Sequence, residues 1–440
     1  MLRTVSLPIS SSLMMERRAA RRRKILKFAG LMLLSANRFM FNKIAKKHDV
    51  WIKPWLAARD IRGCYNQIIS ELRLQDEENY RRYLRMNVDT FEYLLRELRP
   101  LIIRRNVVRP AIPPEQRLAI TLRYYATGES YYSLQFQFRV SVRSIGRIVR
   151  RVSQAIVTKF RDVFMNRPNS VEKWRAISDV YRDRWNFPNC IGAIDGKHIR
   201  IKRPDNAVSG YHNYKGYHSI VLLALVDADY KFIDTDIGTS GREGDSTIFR
   251  YSEMYKRMQN KTLNLPEDCI LPNDDPTDAG KMPFLIVGDD AFPLKRNLLK
   301  PYAQKDLTDG KRIFNYRLSR ARRTSENAFG ILAQVFRVFY GEISCDVDTA
   351  KIVTEACCIL HNILRGMSRD SYTPTHFVDT VDVDGEIIEG SWRLGGDPLD
   401  GLKKYPGQKS SYDAEGVRDY FREYFQLQGS VPWQYRHIYH

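Results

Sequence analysis

Three apolar, β-rich runs in the second half of the chain set the firmest limit on its fold. CIGAIDGKHIRI (190–201), HSIVLLALVDADYKFIDTDIG (218–238) and MPFLIVGDD (282–290) are rich in Val and Ile and separated by turn-forming residues. Helical periodicity returns over Ser319–Tyr340 and Ala350–Arg365. Strands followed by helices around a buried sheet predict an α/β domain. Between the second and third runs, Lys256–Lys281 carries Asn273, Asp274, Asp275 and Asp278 and reads as a surface insertion.

The first half reads differently. Residues 1–75 read as a basic, loosely ordered arm, with an amphipathic helix expected around Ile25–Ile44. From 76 to 165 the pattern is helical: Phe91, Leu94, Leu95 and Leu98 share one face of a helix ending near Pro100. Residues 114–160 predict three helices, Pro114–Thr127, Ser130–Phe138 and Ser141–Phe160, with Gly128 closing the first and Ser141 capping the third. On the third, Val142, Ile145, Val149, Val152 and Ile156 make an apolar stripe opposite Arg143, Arg147, Arg150 and Arg151, with Arg139 in the preceding turn. A helix-turn-helix presents such a helix to DNA, and a solvated charged face gives the same pattern.

Charge favours the nucleic-acid reading. The net charge is +20, and residues 1–165 hold 33 Lys and Arg against 13 Asp and Glu, which accounts for the whole excess. A surface so biased attracts polyanions, DNA first among them. It also argues against a phosphohydrolase for small molecules. RRAARRRK (17–24) has the form of a nuclear localisation signal; the acid-poor, Arg-rich stretch 1–41 also suits a mitochondrial transit peptide, the less favoured reading. The six cysteines have no zinc-like spacing and read as reduced thiols, and no apolar stretch approaches the roughly 20 residues that span a bilayer.

Three acids occupy positions suited to a metal site. Asp195 follows the apolar stretch Cys190–Ile194, Asp289 follows Phe284–Gly288, and Glu326 lies on a predicted helix. Open α/β sheets place ligands beyond the C-terminal ends of their strands, and hard carboxylate oxygens there suit Mg²⁺ or Mn²⁺. Such ions activate a water or a 3′-hydroxyl for phosphodiester transfer. Asp290 stands directly after Asp289, so either could face the metal, although adjacent strand residues point to opposite faces. Lys197, Arg200 and Lys202 flank the first acid and are candidates to follow a DNA backbone.

The wording around these acids is more specific than their spacing. CIGAIDGKHIRI, YHNYKGYHSIVLLALVDADYKFIDTDIGTSGREGDSTIF, VGDDAFPLKRNLLKPY, KRIFNYRLSRARRTSENAFGILAQVFRVF and ACCILHNIL stand in this order from about Pro188 to Arg365. Together they resemble the PIF/Harbinger transposase family and its domesticated nuclease relatives. The resemblance implies an RNase H-like DDE catalytic domain over 188–366, after a helix-turn-helix region and before a C-terminal tail (367–440) with one short helix. By motif it makes Asp195 of AIDGKH, Asp289 of VGDDAFP and Glu326 of RRTSENAFG the catalytic, metal-binding acids, with Asp245 of SGREGDSTIF as a further metal position. It implies a nuclear, Mg²⁺- or Mn²⁺-dependent endonuclease cutting transposon ends, with strand transfer where that is retained, and a Myb-like DNA-binding partner. A homo-oligomer fits the same picture, and so does a domesticated binding factor that has lost turnover.

Overall fold

The computed structural model describes residues 19–30, 32, 52–106, 110–204, 210–241, 245–277, 279–305, 307–382, 385–396, 399–402 and 410–438. The chain divides into two units, Met1–Ala57 and Ala58–His440. The first holds a helix over 19–30 and the short turn of helix Pro54–Ala57. Most of the stretch expected to be helical around Ile25–Ile44 lies outside the described residues.

In the second unit, order begins earlier than the expected arm boundary at 75. Short helical turns at Arg59–Arg62, Tyr65–Ile69 and Ser70–Gln75 precede it, because Cys64 and Ile69 are buried in one core with Tyr80 and Leu84. Helix α1 (Glu77–Leu84) starts at Asp76, whose side chain accepts the Asn79 N–H, and α2 (Val88–Ile102) starts at Asn87, which accepts from Thr90. α2 passes Pro100 instead of ending there; so near the C-terminus a proline removes one hydrogen bond without blocking the last turn. α3 (Pro114–Thr127) ends at Gly128, at φ +68°, where other residues are strained. α4 (Tyr131–Phe138) and α5 (Val142–Phe164) begin after Ser130 and Ser141, each accepting a backbone N–H three residues on. The apolar stripe of α5 packs on helix α10 (Val347–Met367), burying Ile145, Val149, Val152 and Ile156 and leaving Arg143, Arg147, Arg150 and Arg151 exposed.

After α6 (Val171–Trp185) comes the sheet, with strands β1 (Cys190–Arg200), β2 (Ser219–Val226), β3 (Phe232–Ser240), β4 (Leu285–Val287) and β5 (Leu298–Leu299). Their order is β3-β2-β1-β4-β5; the first three are antiparallel, while β4 and β5 run parallel to β1. Alternate residues of β2 enter two separate cores: Ile220, Leu222, Ala224 and Val226 face one, Val221, Leu223 and Leu225 the other. That double burial explains an unbroken apolar run. The first core is closed by α9 (Asp309–Val335) and α10; the second takes Ile248, Phe249 and Met254 from α7 (Asp245–Tyr251) and α8 (Glu253–Gln259). α9 begins ten residues before the expected Ser319 and gives way at Arg337–Tyr340 to a 3₁₀ turn.

Two further expectations are corrected. The stretch 256–281 is partly internal: Leu263 and Leu271 are buried, and Trp174 Nε1 donates to the Leu263 carbonyl at 2.8 Å. β1 does not stop at Ile194. It continues through Asp195, because Gly196, Lys197 and His198 stay paired with Leu223, Leu222 and Val221 of β2. β4 ends at Val287, opposite Ala193, so the β4-side edge of β1 is open beyond that point. There the two-residue strand Asp400–Gly401 pairs with His198 and Lys197. Farther along the tail, α11 (Tyr412–Gln426) lays Phe421 and Phe425 against Phe187. Among the described residues, no helix is long and apolar enough to cross a membrane.

Candidate active site

Where β4 stops and β1 continues, a cavity of about 390 Å³ opens, lined by Asp195, Lys197, Asp289, Arg322, Glu326, Trp392, Arg393 and Gly401. Asp195 enters from mid-strand. Its Oδ1 accepts the Gly196 N–H at 2.8 Å, and Oδ2 lies 3.8 Å from Lys197 Nζ. Asp289 sits just past β4, its Oδ1 accepting the Ala291 N–H at 3.0 Å. Burial, and then the charge of Asp195, push its carboxyl above the usual range. Asp290 is exposed and outside the cavity lining; its carbonyl accepts from Lys300 Nζ at 3.3 Å. Glu326 arrives from α9 and is flanked by Arg322 Nη2 at 3.7 Å and Arg393 Nη2 at 3.6 Å.

The donor set fits a hard divalent cation in one respect. The charge of Asp195 helps to raise the proton affinity of Asp289, and a cation between the two carboxylates removes that repulsion. In another respect the site is incomplete: among the described residues, no group of three or more His, Cys, Asp or Glu side chains is placed to hold a metal ion. Glu326 shares the cavity but is engaged by its two arginines. Asp245 opens α7, and its side chain lies outside the described residues.

The basic candidates are dispersed. Lys197 is in the cavity. Arg200 Nη2 is 3.2 Å from Asp400, which also accepts from Lys215 Nζ and the Tyr217 hydroxyl. Although burial opposes its charge, these donors hold the Asp400 carboxyl down to about 2. Lys202 is exposed beyond the strand. Arg139 ends α4 at φ +51° and donates Nε to the Arg62 carbonyl at 3.2 Å, while on α5 Arg150 lies 3.8 Å from Asp346. Because Asp400 neutralises Arg200 and Lys215, Asp400→Asn is expected to tighten duplex DNA binding by up to about fivefold at low salt, read by fluorescence anisotropy. An unchanged or weaker affinity would show that those cations do not face DNA.

Sequence reasoning missed the wall supplied by the tail. Asp379 is buried and accepts from Arg393 Nε at 3.0 Å and Nη2 at 2.6 Å, Arg323 Nη1 at 2.9 Å, Asn327 Nδ2 at 3.1 Å and the Gly390 N–H at 2.9 Å. Burial opposes its charge, but these donors win and bring its carboxyl down to about 2. Asn327, next to Glu326, accepts both the Asp379 N–H at 3.0 Å and Trp392 Nε1 at 2.8 Å. The indole lies directly against Gly330, where a Cβ would collide with the ring. A glycine inside a helix is a visible signal of such close approach. Gly330→Ala is therefore expected to lower stability by about 1–3 kcal/mol in a thermal melt, although alanine favours helix. A higher melting point would show that the indole moves aside freely. His361 bonds the Tyr372 hydroxyl and the Tyr230 carbonyl inside the core, and burial lowers its pKa to about 3.

Residues 194–362 match the family described as DDE superfamily endonuclease. The Arabidopsis thaliana protein ALP1-like is 29% identical over 259 residues, which cover 57% of this chain and 60% of its own length. Protein antagonist of like heterochromatin protein 1, from the same plant, is 24% identical over 65% of this chain and 72% of its own. HARBI1 of Rattus norvegicus is 25% identical over 62% and 74% respectively. No solved structure matches. Asp379, Trp392, Arg393 and Gly401 lie beyond the matched family residues. Residues 194–362 are thus similar to the DDE superfamily endonucleases, and the relatives matched are consistent with the PIF/Harbinger resemblance of the motif blocks.

Proposed function

We propose that the protein is a nuclear, Mg²⁺- or Mn²⁺-dependent DNA endonuclease of the transposase type, cutting phosphodiester bonds at transposon ends. The observation that carries this reading is the placement of Asp195 and Asp289 side by side in one polar cavity, beside the cations Lys197, Arg322 and Arg393. The mixed sheet, with three antiparallel strands continued by parallel ones, supports an RNase H-like domain. Asp195 and Asp289 would hold the metal, joined by Glu326 and Asp245, and a bound ion would acidify water and offset charge on the phosphate. The chain itself does the positioning. Asp195 is fixed by the Gly196 N–H and Asp289 by the Ala291 N–H, so neither needs to reorganise. The cationic side chains of the cavity offset the approaching diester, and the exposed arginines of α5 offer separate contacts for its backbone. A Myb-like DNA-binding partner and a homo-oligomer complete this reading, as does strand transfer by the freed 3′-hydroxyl.

One observation favours a second reading, a DNA-binding factor without turnover: Glu326 is held by Arg322 and Arg393. Nicking of supercoiled plasmid with and without Mn²⁺ separates the two. Metal-dependent nicking supports the endonuclease. DNA binding and no metal-induced rise in melting temperature support the binding factor, since a ligand of the folded state must stabilise it.

A further inference from the structure

Among the cations of the cavity, Arg393 is held differently from the others. Lys197 and Arg322 face the acids Asp195 and Glu326, within 3.8 Å and 3.7 Å. Arg393 also approaches Glu326, but its main partner is Asp379, which takes Nε and Nη2 together. That two-point grip fixes the plane of the guanidinium and leaves the Nη1 edge outside the pair. The Trp392 ring supports the same group, with the guanidinium carbon 4.4 Å from its centroid. Both supports are themselves anchored: Asp379 by Arg323, Asn327 and the Gly390 N–H, Trp392 by Asn327, and the Trp392 carbonyl by Gln334 Nε2 at 3.0 Å.

We propose that Arg393 binds a DNA phosphate in this cavity, taking a non-bridging oxygen beside Asp195 and Asp289, with Asp379 and Trp392 as positioning residues. The inference deepens the endonuclease reading and rests on it for the identity of the ligand. The charges favour it. Asp195, Asp289 and Glu326 balance Lys197, Arg322 and Arg393 in the cavity lining, so a divalent cation among the acids would leave the cavity net positive, matched to a phosphodiester. Lys197 and Arg322 each stand beside an acid that would turn toward that cation. Arg393 has Asp379, a partner outside the cavity lining, and keeps its place when Glu326 turns away.

The test measures affinity for a short labelled duplex in Ca²⁺ between about 50 and 200 mM salt, together with Mn²⁺-dependent plasmid nicking. Removing one phosphate-binding cation flattens the plot of log affinity against log salt by about 0.9. Arg393→Gln is expected to flatten the slope by that amount and to abolish nicking. Arg393→Lys should retain the slope, as a point charge, and nick at least about tenfold more slowly for want of the two-point grip. An unflattened slope in folded Arg393→Gln would overturn the proposal and leave Arg393 as a clamp for the tail. Should Arg393→Gln fail to fold, the Asp379→Asn, Arg393→Gln pair removes the buried charge with its partner, keeps an amide oxygen for Arg323, and gives the same comparison. Wild type that binds but never nicks would defeat the endonuclease reading alone, since the slope comparison needs no turnover.

Discussion

On the endonuclease reading, Asp195→Ala and Asp289→Ala are each expected to lose at least about a hundredfold in Mn²⁺-dependent nicking, because even the outer partners of metal ligands typically cost ten- to a hundredfold. Asp290→Ala stays close to wild type, since Asp290 is exposed and outside the cavity lining. Supercoiled plasmid, scored for open circles with and without metal, decides both. Equal losses at Asp289 and Asp290 would remove the distinction between them, and nicking retained in Asp195→Ala would remove this cavity as the site. The same pair makes a prediction about stability without metal. The Asp289 carboxyl lies above its usual value through burial and the charge of Asp195, so at neutral pH its ionised form opposes folding. Stability from this group therefore falls as pH rises from the unfolded carboxylate value through the raised folded one. Asp289→Asn is expected to melt higher than wild type in EDTA and to gain nothing from Mn²⁺, where wild type is expected to be stabilised.

Asp379→Ala carries the largest expected cost in stability, about 3–5 kcal/mol, because it strands Arg323 and Arg393 beside a buried position without their shared acid. Denaturant unfolding with and without the substitution measures it; a change below about 1 kcal/mol, the level of exposed pairs, would mean that water reaches these arginines freely. The pH dependence has the opposite sign to that of Asp289. The Asp379 carboxyl is held at about 2, below its unfolded value near 3.8. Its contribution is complete above the unfolded value and disappears as pH falls through about 2. Acid unfolding of wild type should therefore include a component below about pH 4 that Asp379→Ala lacks.

The legible parts were those whose causes are local. Ser130, Ser141 and Gly128 mark helix ends through bonds and torsions within three or four residues, and the β2 run is apolar throughout because both faces are covered. Asp195, Asp289 and Glu326 stand out within motif blocks, and the fold brings all three to one cavity. The mid-strand place of Asp195 was less legible, because the apolar stretch breaks off at Ile194; pairing with β2 carries the strand on through Gly196, Lys197 and His198. The tail wall was hidden for a related reason. Asp379 bonds Asn327 across 52 residues, and Trp392 does so across 65, in a stretch whose strands are two residues long and carry no periodicity. Gly330 was the available clue, a small residue in a helix that has to let an indole approach.

The placement of the wall late in the chain bears on how the protein is made. A ribosome delivers Asp195, Asp289 and Glu326 before residues 379–401, and domains begin to fold as they emerge. A nascent chain can thus assemble the sheet and α9 while its acids still lack Arg393, Trp392 and the Asp400–Gly401 edge strand. Any cation-loaded cavity at that stage would be half-walled, without the arginine fixed by Asp379. Tail docking then acts as a final assembly step, after which the candidate site exists as a whole, and a product truncated before 379 would carry the three acids in an unfinished site.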